Sequence, residues 1–246
     1  MSNALVHNCG YAGGVGAVLT FAAAYGIDLD DLAVKIEANA PAYIWKEAAE
    51  FYDRLAKKKG NTYGLSYKVF VACDALKRAW RYSNPAISAY WKELDNGIRG
   101  AIANPGKEFK MRKLSALREG NWLRIRLPSG RFLSYASPRV EDKNITYMGM
   151  DQYTRKWQRI RSHGPKFLEN ACQSIGRDVL LEGLVAAEAN GYEVILTVHD
   201  EIVAEAPDAP EYNADMLSAL MSRELPWTKG LPLAAAGFEA YRYGKG

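Results

Sequence analysis

Three polar residues, His199, Asp200 and Glu201, interrupt two apolar runs, Val194-Ile-Leu-Thr-Val198 before them and Ile202-Val-Ala204 after them. β-Branched residues on both sides of a short polar break predict a tight β-hairpin with the three side chains at its tip. Two adjacent carboxylates repel each other unless solvent or a cation lowers the cost. A divalent cation is the economical occupant. Mg2+ takes oxygen ligands, usually one or two carboxylates together with substrate phosphates, so Asp200 and Glu201 as metal ligands point to phosphoryl transfer. The competing reading is a polar turn with a chance histidine, and other residues must decide between the two.

The elements that would position this tip are legible on either side of it. Lys166 to Ala189 predicts the longest helix, with Phe167, Ala171, Ile175, Leu180, Leu184 and Ala187 available to its buried face. Gln173 and Arg177 stand four apart on it and share a face, with Asn170 close to the same side. Glu119 to Tyr135 predicts a hairpin that turns at Pro128-Ser-Gly130, and its alternation predicts one face carrying Arg124, Arg126 and Arg131. Thr146 to Ile160 shows no clear period. After the acidic hairpin, a helix near Glu211 to Leu225 and a strand over Leu233 to Tyr241 are expected.

The first hundred residues are helical in pattern: Ala17 to Tyr25, Asp28 to Leu55, Lys68 to Trp80 and Pro85 to Ile98. The Lys57-Lys-Lys-Gly60 run ends the second, and Asn84-Pro85 splits the last two. Trp80, Tyr82, Tyr90 and Trp91 read as core residues rather than as base-stacking ones. Gly10, Gly13, Gly14 and Gly16 crowd a short span, but no strand precedes them and no second strand ends in an acid, so a dinucleotide site is excluded. The expected class is α+β: a mainly helical first part, then a small antiparallel β-sheet backed by helices.

A hydrophobic fraction of 48% with 24% charged residues is that of a globular protein, and no apolar run approaches a membrane span, so a cytoplasmic location without membrane contact is expected. Cys9, Cys73 and Cys172 are odd in number and far apart, which fits neither a disulfide framework nor a zinc knuckle. The net charge of +4 hides a strong asymmetry. Arg99 to Arg139 carries ten Lys or Arg against Glu108 and Glu119, whereas Glu193 to Asp215 carries seven acids and no Lys or Arg. The first stretch suits a polyanion, or is a solvated basic surface; the second suits cations.

Five groups of residues, taken in order, resemble family A DNA polymerases, the bacterial polymerase I and phage group. They are Gly10-Tyr-Ala-Gly-Gly-Val-Gly16, Leu127-Pro-Ser-Gly-Arg131, Ser162-His-Gly-Pro-Lys166, Glu169-Asn-Ala-Cys-Gln-Ser-Ile-Gly-Arg-Asp178 and Val198-His-Asp-Glu201. The closing Gly230-Leu-Pro-Leu233 and Gly237-Phe-Glu239 are similar as well. The resemblance implies that residues 1–165 form part of the fingers, with a basic hairpin near 119–135, and that residues 166–246 form the C-terminal half of the palm. It implies that Asp200 is a carboxylate at two catalytic Mg2+ ions, with Glu201 beside it and His199 near the primer end. Asn170 and Gln173 would touch the minor groove of primer or template, and Tyr11 would lie against the templating base. Lys166, Arg177 and the arginines 124, 126 and 131 complete the expected nucleic-acid contacts. Primer-template DNA and deoxynucleoside triphosphates are the implied partners.

Two departures from the family pattern qualify this expectation. The second metal-bridging aspartate would fall before the first residue of this chain. The lysine that binds the triphosphate would fall at Asn3, and its arginine before Met1. The asparagine stands three residues before Gln173, as in phage-type members. The leading expectation is therefore a C-terminal fragment of a template-directed polymerase, inactive without a second polypeptide or a missing N-terminal region. A non-catalytic nucleic-acid-binding module derived from a polymerase is the alternative, and an unrelated metal-dependent nuclease a third.

Overall fold

Helix-forming runs punctuated by proline and glycine build the first half of the chain, and short alternating runs build a sheet in the second. The architecture is that of a computed structural model, which describes Gly10 and residues 12–242. By internal contacts it divides into two compact units, Met1–Asn96 with Ser162–Leu168, and Gly97–Arg161 with Glu169–Gly246.

In the first unit, α1 (Val15–Ala24), α2 (Leu29–Asn39), α3 (Ala42–Lys57) and α4 (Tyr67–Ser83) follow one another, and α5 (Pro85–Ala103) begins. The Asp28 carboxylate starts α2 by accepting the N–H groups of Asp30 and Asp31 at 2.8 and 3.1 Å. The sequence reads as one helical stretch from Asp28 to Leu55, but Pro41 divides it. Proline lacks the N–H that a helix interior needs and pushes its predecessor out of the helical region. Helix α4 is the centre of this unit. Val69, Phe70, Ala72 and Cys73 pack with Val15, Val18 and Ala33, and Val71 and Ala75 pack with Ile44 and Ala48.

Within that apolar run Asp74 is fully buried. It is paired with the Lys77 amine and, at 2.5 Å, with Nε of Arg78, whose Nη1 reaches Glu47 at 2.9 Å. Burial lowers the pKa of Lys77, and burial with the Asp74 charge beside it pushes the Cys73 thiol up to about 11. Trp80 and Trp91 are both buried and stack with centroids 6.0 Å apart, as expected of core residues. Tyr82 departs from that expectation: it is 52% exposed and donates its hydroxyl to Glu47. Its polar end finds a surface partner, which removes the need for burial.

In the second unit, β1 (Phe109–Met111), β2 (Leu114–Glu119), β3 (Trp122–Arg126), β4 (Phe132–Glu141), β5 (Asn144–Met150) and β6 (Trp157–Ser162) form an antiparallel sheet in sequence order. The expected hairpin at 119–135 is its β3–β4 pair, with Arg126 opposite Phe132 and Leu123 opposite Tyr135. Met111, Leu114, Ala116, Leu123 and Ile125 face the core. Gly97 and Gly100 on α5 admit β1 onto the helix. A Cβ at either position would run into the side chain of Met111 or Phe109.

Helix α6 (Gly164–Ala189) is the longest element, followed by β7 (Glu193–Val198), β8 (Glu201–Glu205) and α7 (Ala214–Met221). The class is α+β, as expected. Two local expectations fail. The helix near Glu211 to Leu225 is shorter, and Leu233 to Tyr241 is not a strand, because no segment pairs with it among the described residues. None of the described helices is long and apolar enough to cross a membrane.

Candidate active site

The β7–β8 register ends with Val198 opposite Glu201, which leaves His199 and Asp200 as a two-residue turn. Such turns need positive φ and favour glycine or asparagine there, yet His199 holds φ +56. Eight other described non-glycine residues, among them Asp142 and Lys143 in the β4–β5 turn, hold positive φ as well, so this conformation marks a tight turn. His199, Asp200 and Glu201 are all exposed at the tip.

The base of the hairpin is fixed more firmly than its tip. Glu188, near the end of α6, accepts the Val194 N–H at 2.7 Å. The buried Tyr192 donates its hydroxyl to the Asn213 carbonyl at 3.1 Å and accepts the Asn213 N–H at 3.2 Å. At the start of α7 the Asn213 side chain accepts the Met216 N–H, and Glu239 accepts that of Ala214 at 3.0 Å. An acid at a helix N-terminus is favourable, so Glu239, from the closing Gly237-Phe-Glu239 group, serves here as a cap.

Asp200 and Glu201 are the oxygen donors that the tip offers to a cation. Among the described residues no group of three or more His, Cys, Asp or Glu could hold a metal ion. The donors present therefore do not by themselves fit a two-ion site.

Helix α6 carries the expected nucleic-acid contacts in two environments. Gln173 and Arg177 are exposed, and a Cβ built on Gly176 between them would have nothing within 4 Å. Asn170 is instead half-buried and donates its amide to the Tyr135 hydroxyl at 3.0 Å. Burial pushes the Tyr135 phenol up to about 12, so it stays neutral. Lys166 stands half-buried in the first turn of α6. Tyr11 lies outside the described residues.

Arg131 does not share the face of Arg124 and Arg126. Because Arg126 pairs with Phe132, Arg131 comes opposite Leu127, on the face turned toward α6. There its Nε meets Asp178 at 2.7 Å and its Nη2 donates to the Ser174 carbonyl at 3.0 Å, while the Ser129 hydroxyl donates to the other Asp178 oxygen at 2.5 Å. Two of the sequence motifs thus clamp one another. Both Asp178 and Arg131 lay inside those motifs; their opposite charges were the available signal, but nothing local tied residue 131 to residue 178.

The clamp leads to a prediction. Arg131→Ala leaves the nearly buried Asp178 carboxylate with Ser129 alone, and loss of charge-assisted bonds to a buried acid costs about 2–3 kcal/mol. Arg131→Ala/Asp178→Ala is expected to be no less stable than Arg131→Ala alone, since the stranded charge is gone. Urea unfolding followed on α6 measures both, and strictly additive losses would contradict the clamp.

No protein-family model and no solved structure matches the chain. It is similar to a protein of Bacillus phage SP02 named DNA polymerase, at 34% identity over 176 residues, which is 69% of this chain and 27% of that relative. The chain thus spans about a quarter of the relative's length. The likeness is to a phage DNA polymerase, and it extends over more than two thirds of this chain.

Proposed function

We propose that this chain is the fingers and C-terminal palm portion of a family A, phage-type DNA polymerase. In this reading it extends a primer on a template only together with residues outside the 246. The observation that carries the reading is the exposed His199-Asp-Glu201 turn between two apolar strands, in a chain similar to a phage DNA polymerase. Asp200 is the metal-facing carboxylate, Glu201 supports it and His199 contacts the primer end. Mg2+ ions, when bound, stabilise charge on the transferring phosphoryl group and lower the pKa of the attacking hydroxyl. Since two carboxylates do not complete such a centre, a further acid and the triphosphate-binding cations come from a second polypeptide or from an N-terminal region.

The hairpin itself supports an incomplete palm. Two strands alone are marginal, and Ile195 and Leu196 on β7 are 50% and 41% exposed. Strands of the missing palm portion would cover them. In this reading α6 holds the duplex: Gln173 and Arg177 contact it, while Asn170 and Arg131 keep α6 and the β3–β4 hairpin together.

Binding of a primer-template duplex tests the interface without catalysis. Affinity is expected to fall steeply with salt, by a slope of about one per phosphate contact, and Gln173→Ala/Arg177→Ala is expected to weaken it about tenfold. Salt-insensitive affinity, or indifference to both substitutions, would contradict the assignment.

A further inference from the structure

The outward face of the β1–β4 sheet combines cations and aromatic rings in an order set by strand register. Lys110 lies opposite Ser115, Ser115 opposite Arg126, and Arg126 opposite Phe132, so one row crosses four strands. The next rows on this face place Leu117, Arg124 and Ser134 together, then Glu119, Trp122, Ala136 and Met148. Side chains one residue away on each strand point to the core: Leu123 and Ile125 are buried, whereas Trp122, Arg124 and Arg126 are exposed. Trp122 and Phe132 are 46% and 47% exposed.

An antiparallel sheet can turn one side to water, and polar residues suffice for that purpose. Here two large aromatic rings stand at the ends of the patch with arginines between them. At about 4.8 Å between strands and about 3.4 Å per residue, Trp122 and Phe132 are roughly 14 Å apart. The Lys110 to Phe132 row is of similar length. Glu119, an acid on this face, is paired with Arg124 at 2.9 Å. An exposed pair of this kind contributes little, so a phosphate can replace the carboxylate at small cost.

We propose that this face is a binding platform for single-stranded nucleic acid, with bases stacked on Trp122 and Phe132 and phosphates met by Lys110, Arg124 and Arg126. Charge complementarity selects the occupant. An apolar partner would cover Lys110 and Arg126 without supplying them a counter-charge, and an acidic protein would leave the rings without π faces to stack on. Sheet platforms that bind strands without sequence preference join cations to aromatic side chains in this way, at the small end on the order of four nucleotides per site. The platform lies apart from the turn at Asp200 in sequence and needs neither metal nor triphosphate. It extends the nucleic-acid contacts expected of Arg124 and Arg126 to a single-strand site that includes Lys110, Trp122 and Phe132 and stands whether or not the polymerase reading holds.

The test uses the full chain and a labelled twelve-residue oligothymidylate, read by fluorescence anisotropy. Trp122→Ala and Phe132→Ala are each expected to weaken binding at least about fivefold with an unchanged salt slope, because stacking releases no counterions. Arg126→Ala is expected to lower the slope by about 0.7. An abasic oligomer of the same length keeps the phosphates and lacks the rings' partners. It is expected to bind the unaltered chain at least about fivefold more weakly than the thymidylate does, a comparison of two ligands on one protein that does not depend on how any variant folds. Equal affinity for abasic and thymidylate oligomers would overturn the proposal, as would full competition by polyglutamate at matched charge. Gln173→Ala/Arg177→Ala is expected to leave thymidylate binding unchanged. An unaltered chain that binds the thymidylate but not the duplex would count against the α6 assignment and not against the platform, whereas loss of thymidylate binding in Gln173→Ala/Arg177→Ala would overturn a separate platform.

Discussion

Asp200→Ala is expected to abolish template-directed primer extension in the reconstituted enzyme, by on the order of 10⁴-fold or more, while duplex binding stays within about twofold. Phosphoryl transfer depends mainly on positioning and charge stabilisation, so removal of one essential carboxylate costs far more in rate than in affinity. The turn is exposed and its base is fixed by Glu188, Tyr192 and Asn213, so loss of the Asp200 side chain leaves the hairpin in place. The isolated chain is expected to extend no primer, and addition of the complementary polypeptide is expected to restore extension. Extension by the isolated chain at ordinary polymerase rates would overturn the fragment reading. Restored extension that tolerates Asp200→Ala would overturn the site. Duplex binding without extension under any complementation would favour the non-catalytic binding module.

The largest effect on stability is expected far from the turn, at Asp74. Asp74→Ala removes the fully buried acid of the helical unit, leaves the half-buried Lys77 ammonium without its acid and takes one of two acids from the half-buried Arg78. Removal of one partner from a buried ion pair costs about 3–5 kcal/mol, a large part of the 5–15 kcal/mol that holds a typical domain. Asp74→Asn keeps an acceptor and is expected to lose roughly half as much. With two units, a single unfolding midpoint is ambiguous, so hydrogen exchange of the α4 amides is the suitable measurement. A loss below about 1 kcal/mol for Asp74→Ala would show that Lys77 and Arg78 find other partners.

The helices were legible in the sequence because their signals are local: apolar spacing, Asp28 before α2, the glycine that follows α3, and proline at the head of α5. The sheet was only partly so. The β3–β4 pair alternates cleanly, but β1 has three residues, β6 has no regular alternation of burial, and β4 shifts register between Ala136 and Arg139, which breaks its period. Leu233 to Tyr241 has four alanines, a glycine and no β-branched residue, which disfavours a strand, and no segment pairs with it among the described residues. The turn at His199 and Asp200 was legible for the opposite reason, since apolar strands on both sides isolate its polar residues. Arg131 was misplaced on the face of Arg124 although the turn at Pro128-Ser-Gly130 keeps parity: Arg126 pairs with Phe132, so Arg131, an odd number of residues from Arg124 and Arg126, falls on the other face by simple alternation. Its partner Asp178 lies 47 residues away.

The bond between these two residues also constrains how such sequences can diverge. A carboxylate that takes both a hydroxyl and a guanidinium ties positions 129, 131 and 178 into one inherited unit, in which a change at one site is tolerated only when the others change with it. Across related genes these three positions should therefore vary jointly, or not at all.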